Sequence, residues 1–541
     1  MRVLLIIVAF VTTTTTTTTT LAAAPYTAYP IYPPYCSTPT QMQQRRIPPL
    51  LLVKEGSYGA SQIKHVTAII RHGARTPWAG NLPCWSDYYD DAHPPWNCEL
   101  QTTITPEVSA TWFRKQYDAL QSPEFNLTNE LSGGTCQLGQ LLAMGVVQEL
   151  LNGEHLRDAY LGHEDSRMQL LFSQNNKNNN HNHNKPWESL YYRADDEQRT
   201  LMSGRVLLKG LFGNEVTSSL TIPMHTADYE RDIVGENENV CPRLTQLREL
   251  FYLTDEFRQF NASVEAQQLR DFQRRQLRTD HDLELDCFMT TICTDRMLPD
   301  AINDYAGEDQ TESMFLRLVN FYIRQYTSFA MANDAEYSKL AMGPLWAEIM
   351  DNVDRVIAEN DDTYPRLALF SGHDTTIIGL LASLSKVYDG SWPPYASKLL
   401  LEIHEIDLDG RKDKSLYTTG YGFRLIYNGQ VLTDKVEGCP KDAHICDVAI
   451  LKRHLNFPLR DRDCSLLDIP TTASSSSSSS ESGMAQVFDL FLSPSGFGVF
   501  VVVVLSSMAV GSVLMFVLLS KLQPQLIHRR SYGAASQENP E

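Results

Sequence analysis

Two short apolar runs in the sequence predict buried β-strands, and each leads directly into a polar loop that contains glycine. The first run is HVTAII at residues 65–70, followed by RHGARTP, and the second is RLALF at residues 366–370, followed by SGHDTT. Apolar runs of this length are typical of strands buried in a parallel sheet. Because ligands bind beyond the carboxyl ends of such strands, we predict that the two loops form one site. YYRADDEQRTLMSG at residues 191–204 also reads as a strand, a loop and a helix.

Helical spacing of apolar residues dominates between residues 228 and 333, as in RELFYLTDEFRQF and ESMFLRLVNFYIRQY. We therefore predict an α/β body in two parts, residues 60–227 and 334–465, with a helical cap of residues 228–333 between them. An irregular N-terminal lead, residues 25–59, precedes the body. The Asn- and His-rich residues 173–185 are predicted to be a disordered surface insertion.

The two ends of the chain carry apolar segments of different lengths. Residues 1–24 combine a basic residue, a short apolar stretch and small residues, the pattern of a secretory signal peptide. Residues 496–520 carry no charge and are long enough to cross the ~30 Å hydrocarbon layer as one helix. Basic residues follow in the tail, 521–541, so we predict a single-pass type I membrane protein with a lumenal or extracellular body. The serine-rich residues 466–495 are predicted to be a stalk.

The composition agrees with that topology. The ten cysteines, an even number, are expected to be mostly paired in an oxidising compartment. There the sequons at Asn126 and Asn261 would be usable glycosylation sites. The formal net charge of -19 argues against nucleic acid and other polyanions as general partners. Any anion-binding site must therefore be local.

The first loop carries the chemistry of such a local site. The guanidinium groups of Arg71 and Arg75 are planar forks suited to phosphate oxygens. His72 lies between these cations, which should lower its pKa and keep the ring a neutral nucleophile. Arg199 offers a third cation, although a pair with Asp195 or Asp196 is the simpler interpretation of that segment alone.

The second loop supplies what the first one lacks. His373 offers a further phosphate contact, and Asp374 offers a carboxylic acid that can protonate a leaving oxygen. A His-Asp pair is more often structural, but its position after a buried strand makes this pair a candidate. A metal-dependent phosphohydrolase of the HD type is an alternative, yet no ligand set has convincing spacing, so we predict no metal and no cofactor.

RHGARTP together with SGHDTT resembles the histidine acid phosphatases, the branch of the histidine phosphatases with a phosphoglycerate-mutase-like α/β fold and a helical cap. RADDEQRTLMSG is similar to the family segment that carries the third phosphate-binding arginine. GSWPPYASKLLLEI resembles the membrane-bound lysosomal and the prostatic members. The likeness covers roughly residues 60–465.

The resemblance implies a role for each candidate residue. His72 would take the phosphoryl group and Asp374 would donate a proton, while the phosphate would be held by Arg71, Arg75, Arg199 and His373. The protein would be a membrane-anchored acid phosphatase that hydrolyses phosphate monoesters, located in the endosome or lysosome or at the cell surface. Whether the protein forms a homodimer is left open by the sequence.

The resemblance also bears on the cysteines. It implies that Cys439 pairs with Cys446 and Cys241 with Cys464. Where relatives carry a cysteine after PPYAS this chain has Lys398, so that family bridge is absent and the pairing of the remaining cysteines is open.

Three alternatives concern the activity. An inositol polyphosphate phosphatase of the phytase type would need a basic pocket rim, and the acidic composition together with HDTT favours a general acid phosphatase. A mutase acting on 2,3-bisphosphoglycerate does not fit the export signal and anchor. A catalytically inactive receptor ectodomain would be expected to lose the histidine or the acid, whereas all six candidate residues are present.

Overall fold

The structure is a computed structural model, and it describes most of the region between residues 26 and 466. The described residues are 26–50, 61–78, 84–86, 88, 96, 136–161, 189–213, 222–279, 283–306, 313–358, 364–406, 418–457 and 464–466. The predicted signal peptide, the Asn-rich insertion, Asn126, the stalk beyond Leu466 and the membrane span lie outside these residues. Among the helices that are described, none combines the length and the apolar character needed to cross a bilayer.

Strands and helices alternate along the first part of the chain, helices alone follow, and the last part consists mainly of strands. The helices are α1 Pro39–Gln43, α2 Ala143–Tyr160, α3 Gln198–Phe212, α4 Arg243–Tyr252, α5 Asp255–Asn261, α6 Val264–Phe272, α7 Leu285–Cys293, α8 Met314–Ile357, α9 Asp374–Ser383 and α10 Val448–His454. The strands are β1 Ser61–Arg71, β2 Leu190–Ala194, β3 Leu367–Gly372, β4 Lys398–Ile406, β5 Tyr421–Tyr427, β6 Gln430–Val431 and β7 Cys446–Asp447.

One half of the sheet is parallel, as the apolar runs predict. In the strand order β2-β3-β1-β4-β5-β6, β3 pairs in parallel with both β2 and β1. The register places Arg71 opposite Gly372, and Ala194 opposite Ser371. The three polar segments that follow these strands therefore begin at the same edge of the sheet.

The prediction of a parallel sheet is wrong for the other half. Strand β4 runs antiparallel to β1, with Lys398 opposite Ile70, and β5, β6 and β7 continue with antiparallel pairs. Residues 384–397 return the chain to the edge where β1 ends, so β4 starts there and runs the opposite way. The Asn428-Gly429 pair, with φ of 46° and 83°, joins β5 to β6 in a two-residue hairpin.

Helices cover both faces of the sheet. On one face α2 and α3 place Leu156 and Leu207 in a core cluster with Val66 of β1. On the other face α8 and α9 place Trp346 and Ile377 in a second cluster, which contains Ile69 and Phe370 of the sheet. Successive residues of β1 thus enter opposite cores, the alternation expected of a strand covered on both sides.

The cap predicted for residues 228–333 contains α4 to α7 and the first part of α8. Helix α8 is interrupted at Ala332–Ala335, where the backbone leaves the helical region, and this break falls at the predicted end of the cap. Asn261 lies exposed at the end of α5, where its side-chain oxygen accepts a hydrogen bond from Arg270. Its glycosylation stays a prediction.

Four disulfides join described residues. Two are the pairs that the resemblance implies, Cys241–Cys464 and Cys439–Cys446. The other two are Cys36–Cys293 and Cys84–Cys287, which tie residues from before α2 to α7. The N-terminal lead is accordingly more regular than predicted, because it contains α1 and is held to the cap through Cys36.

Candidate active site

The site lies where β1, β2 and β3 end, and a close contact with α2 fixes its first loop. A Cβ added to Gly73 would lie 2.5 Å from the Cα of Gly145, the third residue of α2. The amide of Ala74 donates to Oε1 of Gln148 at 2.8 Å, one turn further along the helix. Glycine at residue 73 therefore allows the loop to rest directly on the helix backbone.

His72 lies at the centre of this loop and is 1% exposed. Its Nδ1 is 2.9 Å from the carbonyl oxygen of Gly73, which can only accept a hydrogen bond, so Nδ1 carries the proton and Nε2 is left as the nucleophilic nitrogen. Burial, then Arg199, Arg75 and Arg71, hold the pKa of His72 well below its ordinary value. The sequence predicted this direction from the cations alone, whereas desolvation contributes most.

Arg71 is as buried as His72, and its guanidinium is held on several sides. One terminal nitrogen pairs with Asp374 at 2.8 Å, and the other donates to the carbonyl oxygen of Pro393. The ring of Tyr395 lies beneath the guanidinium, 4.1 Å from the centroid to Cζ. The plane of the guanidinium is therefore fixed before any ligand binds.

Arg75 pairs with an acid of the cap. Its two terminal nitrogens lie 2.9 and 3.2 Å from the carboxylate oxygens of Asp286 in α7. The same carboxylate accepts a hydrogen bond from the backbone amide of Trp78 at 2.6 Å, so one cap residue holds the second half of the loop. Trp78 itself is half exposed, and its ring faces the guanidinium of Arg199 at 5.0 Å.

Arg199, the second residue of α3, pairs with Glu197. Among the described residues, no ion pair joins Arg199 to Asp195 or Asp196, the alternative weighed for this segment. Asp195 instead accepts a hydrogen bond from Nε2 of His373 at 2.7 Å. Burial and the neighbouring Arg75 lower the pKa of Arg199, as expected for a cation that shares its site with like charges.

The His373–Asp195 contact sets the charge of the histidine. Burial lowers the pKa of His373, but the Asp195 carboxylate more than offsets this effect and the pKa lies above its ordinary value. The ring of His373 lies 5.5 Å from the ring of His72, centroid to centroid. The pKa values of these neighbouring histidines are thus shifted in opposite directions. The shift favours the neutral form of His72 and the cationic form of His373.

Asp374 begins α9 and is held as a carboxylate. Burial raises the pKa of Asp374, but Arg71 and Arg75 lower it by more than burial raises it. The pKa therefore lies below its ordinary value. Its Oδ2 accepts a hydrogen bond from the indole of Trp392 at 3.1 Å, and its Oδ1 accepts the amide of Thr375 at 2.9 Å. A change in the charge near Arg71 would therefore act directly on this acid.

The three arginines retain unused donors. Within the described residues, the buried Nε–H groups of Arg71, Arg75 and Arg199 have no hydrogen-bond partner. A buried N–H group without a partner is unfavourable unless a ligand accepts a hydrogen bond from it. All three donors belong to cations around His72, and an anion with several oxygens, such as phosphate, would supply acceptors to all of them.

The structure brings together all six residues predicted for this site, and it adds acids that sequence reasoning did not assign to it. Glu197 and Asp195 stand within four residues of Arg199, a proximity that could have drawn attention to them. Asp286 is far from Arg75 in the sequence, so no local signal pointed to it.

Potential metal ligands also meet here. Ligand atoms of Asp195, Glu197 and His373 lie within 4.8 Å of one another. His373 pairs with Asp195, and Glu197 pairs with Arg199, a cation that would repel a metal ion. We therefore assign no metal to this group.

Comparison with known proteins agrees with this geometry. The sequence matches the family model of the Histidine phosphatase superfamily (branch 2) over residues 62–428, more than half of the chain. It is 25% identical over 393 residues to Counting factor 60 of Dictyostelium discoideum, covering 70% of this chain and 82% of that protein. It is 30% identical over 283 residues to Lysosomal acid phosphatase of Homo sapiens, covering 50% of this chain and 60% of that protein. Prostatic acid phosphatase of Homo sapiens is 27% identical over 278 residues, covering 49% and 65% respectively.

The solved structures matched include the apo form of the Multiple Inositol Polyphosphate Phosphatase of Bifidobacterium longum. Its TM-score is 0.46 at 12% identity, covering 76% of this chain and 96% of that chain. Hafnia Alvei phytase in its apo form gives a TM-score of 0.41 at 15% identity, covering 76% and 100% respectively. The family match carries the assignment, and the chain belongs to the histidine phosphatase superfamily, branch 2, which includes the histidine acid phosphatases.

Proposed function

We propose that the protein is an acid phosphatase that hydrolyses phosphate monoesters through a phosphohistidine on His72. Its family and its acid phosphatase relatives make it a phosphoric monoester hydrolase. The observation that carries the proposal is the set of unpartnered Nε–H donors around a buried, neutral histidine. This arrangement supplies a cationic cradle and a nucleophile at the same place.

Binding of the phosphate would rearrange the ion pairs of the site. A phosphoryl dianion offers oxygens to Arg71, Arg75 and Arg199, and protonated His373 provides a fourth positive charge. Each of these cations now faces a carboxylate, so binding replaces or shares that partner. The dianion therefore adds negative charge to a site whose cations are already paired, while its oxygens gain preorganised donors.

In the first chemical step, Nε2 of His72 attacks phosphorus and the bond to the ester oxygen breaks. The leaving oxygen takes a proton from Asp374, so an alcohol departs and a phosphohistidine remains. Asp374 is ionised beside Arg71 in the free enzyme. Phosphate bound to Arg71 would weaken that stabilisation of the carboxylate and raise its pKa, so Asp374 takes up a proton from solvent when the substrate binds and then delivers it to the leaving oxygen.

In the second step water attacks the phosphohistidine. The carboxylate that Asp374 became in the first step accepts a proton from this water, the N–P bond breaks, and inorganic phosphate and neutral His72 are regenerated. The hydrogen bond from Nδ1 to the carbonyl oxygen of Gly73 keeps the ring in one orientation throughout. The low pKa of His72 favours its return to the neutral form after each turnover.

The surroundings of the pocket favour monoesters over highly charged substrates. Three acids, Asp286, Glu197 and Asp195, surround the phosphate-binding cations, whereas an inositol polyphosphate needs further positive charge at the rim. The half-exposed ring of Trp78 adds apolar surface near Arg199. An inactive receptor ectodomain is the less favoured function, because the six candidate residues lie together in one buried site.

The membrane predictions complete the proposal. We place the catalytic body in the lumen or outside the cell, anchored by residues 496–520 and separated from the bilayer by the serine-rich stalk. The lysosomal and prostatic phosphatases among the relatives support such a location. The disulfides of the body agree with an oxidising compartment.

A substrate panel tests the activity and the role of Asp374 together. Wild-type protein is expected to hydrolyse simple phosphomonoesters with higher kcat/KM than inositol polyphosphates, and His72→Ala should abolish both activities. If Asp374 donates the proton, Asp374→Ala loses most activity on alkyl phosphates, whose leaving groups need protonation, and least on p-nitrophenyl phosphate. An equal loss on both substrates would remove Asp374 from that role, and faster hydrolysis of inositol polyphosphates would favour the phytase-like alternative.

A further inference from the structure

A buried polar cluster lies beside the catalytic loop and is not used by the chemistry described above. It consists of Glu149, Asn152 and His155 on α2 and Lys398 at the start of β4, and we call it the Lys398 cluster. Each of the four residues is between 0% and 3% exposed. Placing several ionisable side chains in a protein interior is unfavourable unless they form specific hydrogen bonds.

The hydrogen bonds of Lys398 fix the orientation of Asn152. Nζ of Lys398 lies 3.0 Å from Oδ1 of Asn152 and 3.1 Å from Nδ1 of His155. An ammonium group has only donors, so it requires the oxygen of the carboxamide to face it. The Nδ2 group of Asn152 is thereby directed elsewhere, and it donates to Oε2 of Glu149 at 3.0 Å and to the carbonyl oxygen of Ala396 at 2.9 Å.

Ala396 is a residue whose backbone needs such support. Its φ is 51°, in the left-handed region, where a residue other than glycine is disfavoured by roughly 1–2 kcal/mol. Its carbonyl accepts the hydrogen bond from Asn152, and its amide donates to the carbonyl oxygen of His72 at 3.1 Å. Asn152 and the backbone of His72 therefore hold the two successive peptide groups that flank the Cα of Ala396.

The neighbouring residues of the same segment contact Arg71, and we call residues 393–397 the support turn. The amide of Arg71 donates to the carbonyl oxygen of Ser397 at 2.9 Å. The guanidinium of Arg71 donates to Pro393 and lies over the ring of Tyr395. Both the nucleophile and the adjacent phosphate-binding arginine thus rest on the support turn.

The N-terminal lead holds the opposite side of the support turn. Arg45 donates to the carbonyl oxygen of Tyr395 at 3.3 Å, and the hydroxyl of Ser37 donates to the same oxygen. The amide of Tyr395 donates to the carbonyl oxygen of Tyr35 at 2.9 Å. These contacts hold the Tyr395–Ala396 peptide, whose N–H donates to His72. Asn152 holds the next peptide, Ala396–Ser397, through its carbonyl oxygen, so it restrains the left-handed Ala396 from the other side.

We propose that Asn152 and Lys398 are positioning residues, which hold the support turn in the conformation that places His72 for attack on phosphorus. The inference rests on the proposed phosphatase function. Asn152 supplies the hydrogen bond to Ala396, and Lys398 ensures that the donor end of the carboxamide points there. Neither side chain contacts the phosphate itself.

The test compares variants that differ in a single donor. Asn152→Asp keeps the shape of the side chain and its attraction to Lys398 but removes the Nδ2 donor to Ala396 and Glu149. Lys398→Met removes the group that orients Asn152, whereas Lys398→Gln restores a neutral donor at the same place. Glu402→Gln serves as the matched control, since Glu402 is equally buried and hydrogen-bonded on β4 but contacts Tyr160, His404 and Arg424 instead of the support turn.

We expect Asn152→Asp and Lys398→Met to lower kcat by about tenfold or more, with the inhibition constant of inorganic phosphate changed less than about threefold. Phosphate binding should largely survive because Arg75 and Arg199, unlike Arg71, are held by residues outside the support turn, Asp286 and Glu197. Lys398→Gln should recover most of kcat, and Glu402→Gln should keep it while losing thermal stability. If Asn152→Asp does not fold, the comparison of kcat between Lys398→Met and Lys398→Gln tests the inference.

Two results would overturn the inference while leaving the proposed function intact. One is that the wild type is active and that Asn152→Asp and Lys398→Met have the same kcat per folded molecule as the wild type. The other is a loss in Lys398→Gln equal to that in Lys398→Met, which would indicate a structural role for the lysine alone. A folded wild type without phosphatase activity would overturn both proposals.

Discussion

Each phosphate-binding cation of the site faces its own carboxylate. Asp374, Asp286 and Glu197 pair with arginines, and Asp195 pairs with His373. These carboxylates stabilise three buried guanidinium groups in the free enzyme, because an unpaired buried charge is strongly unfavourable. They also leave the Nε–H groups available, so a phosphate binds to donors that are already oriented.

Arg75 tests whether the geometry of these donors matters as much as their charge. Arg75→Lys keeps the positive charge and loses the planar fork, so kcat/KM should fall by tenfold for each ~1.4 kcal/mol of lost transition-state stabilisation. The acid limb of the pH profile should move little, because the charge beside His72 remains. Arg75→Gln removes a cation that lowers the pKa of His72, so its acid limb should shift toward higher pH.

The size of that second shift is informative. Burial contributes most to the low pKa of His72, so the limb of Arg75→Gln should move only part of the way to the ordinary histidine range. Steady-state kinetics from pH 3 to 8 measure both variants. A wild-type kcat/KM in Arg75→Lys would contradict the role given to the fork.

Asp195 should control the alkaline limb through His373. In the wild type the Asp195 carboxylate holds the pKa of His373 above its ordinary value, so the imidazolium persists to higher pH. Asp195→Asn removes this anion and leaves burial to lower the pKa. Phosphate inhibition and kcat/KM should then be lost at a lower pH than in the wild type, and Asp196→Asn, which alters the exposed neighbour, should not shift the limb.

The candidate residues differ in how readily the sequence reveals them. His72 and Asp374 lie in short contiguous motifs at strand ends, where a parallel sheet brings separate loops together. Asp286 comes from the cap, 211 residues after Arg75, and an isolated aspartate carries no pattern. Long-range partners of this kind depend on tertiary packing, which local sequence does not encode.

At the scale of elements, the contact between the first loop and α2 depends on glycine at residue 145. A Cβ at Gly145 would lie 2.4 Å from the carbonyl oxygen of Ala74 and 2.7 Å from its nitrogen, and both atoms are already hydrogen-bonded. Gly145→Ala should therefore push the loop from the helix, lowering stability by about 1–3 kcal/mol and kcat with it. Thermal melting and kinetics measure the two effects.

Gly235→Ala is the matched control for that change. Its added Cβ would meet only Cδ2 of His373, at the ordinary contact distance of 3.8 Å. Its melting temperature should stay close to that of the wild type. Equal melting temperatures for Gly145→Ala and the wild type would show that the loop does not rest on α2 as described.

The halves of the sheet show what strand patterns can and cannot predict. The apolar runs of β1 and β3 are buried on both faces, which is the pattern of parallel strands. Strand β4 is equally buried, so its pattern gives no indication of direction. Its antiparallel course follows from the path of residues 384–397 back to the site, which only the folded chain reveals.

At the scale of the whole molecule, all six candidate residues and the four disulfides lie within residues 26–466. A chain ending at Gly483 should therefore be secreted, soluble and fully active, because it keeps Cys464 and its bond to Cys241. A chain ending at Phe457 loses Cys464, leaves Cys241 unpaired and should melt at a lower temperature. Secretion and specific activity of the two chains measure this, and an inactive chain ending at Gly483 would contradict the separation of catalysis from anchoring.

The measurement that most directly tests the central claim is chemical trapping of the phosphorylated enzyme. Protein that has been mixed with substrate labelled in its phosphate, quenched without acid and digested should yield a peptide carrying label on His72. The same treatment of His72→Ala should yield none, and that variant should not turn over. An active enzyme from which no phosphohistidine can be trapped, or His72→Ala with turnover close to the wild type, would contradict the covalent mechanism and leave RHGARTP as a phosphate-binding loop only.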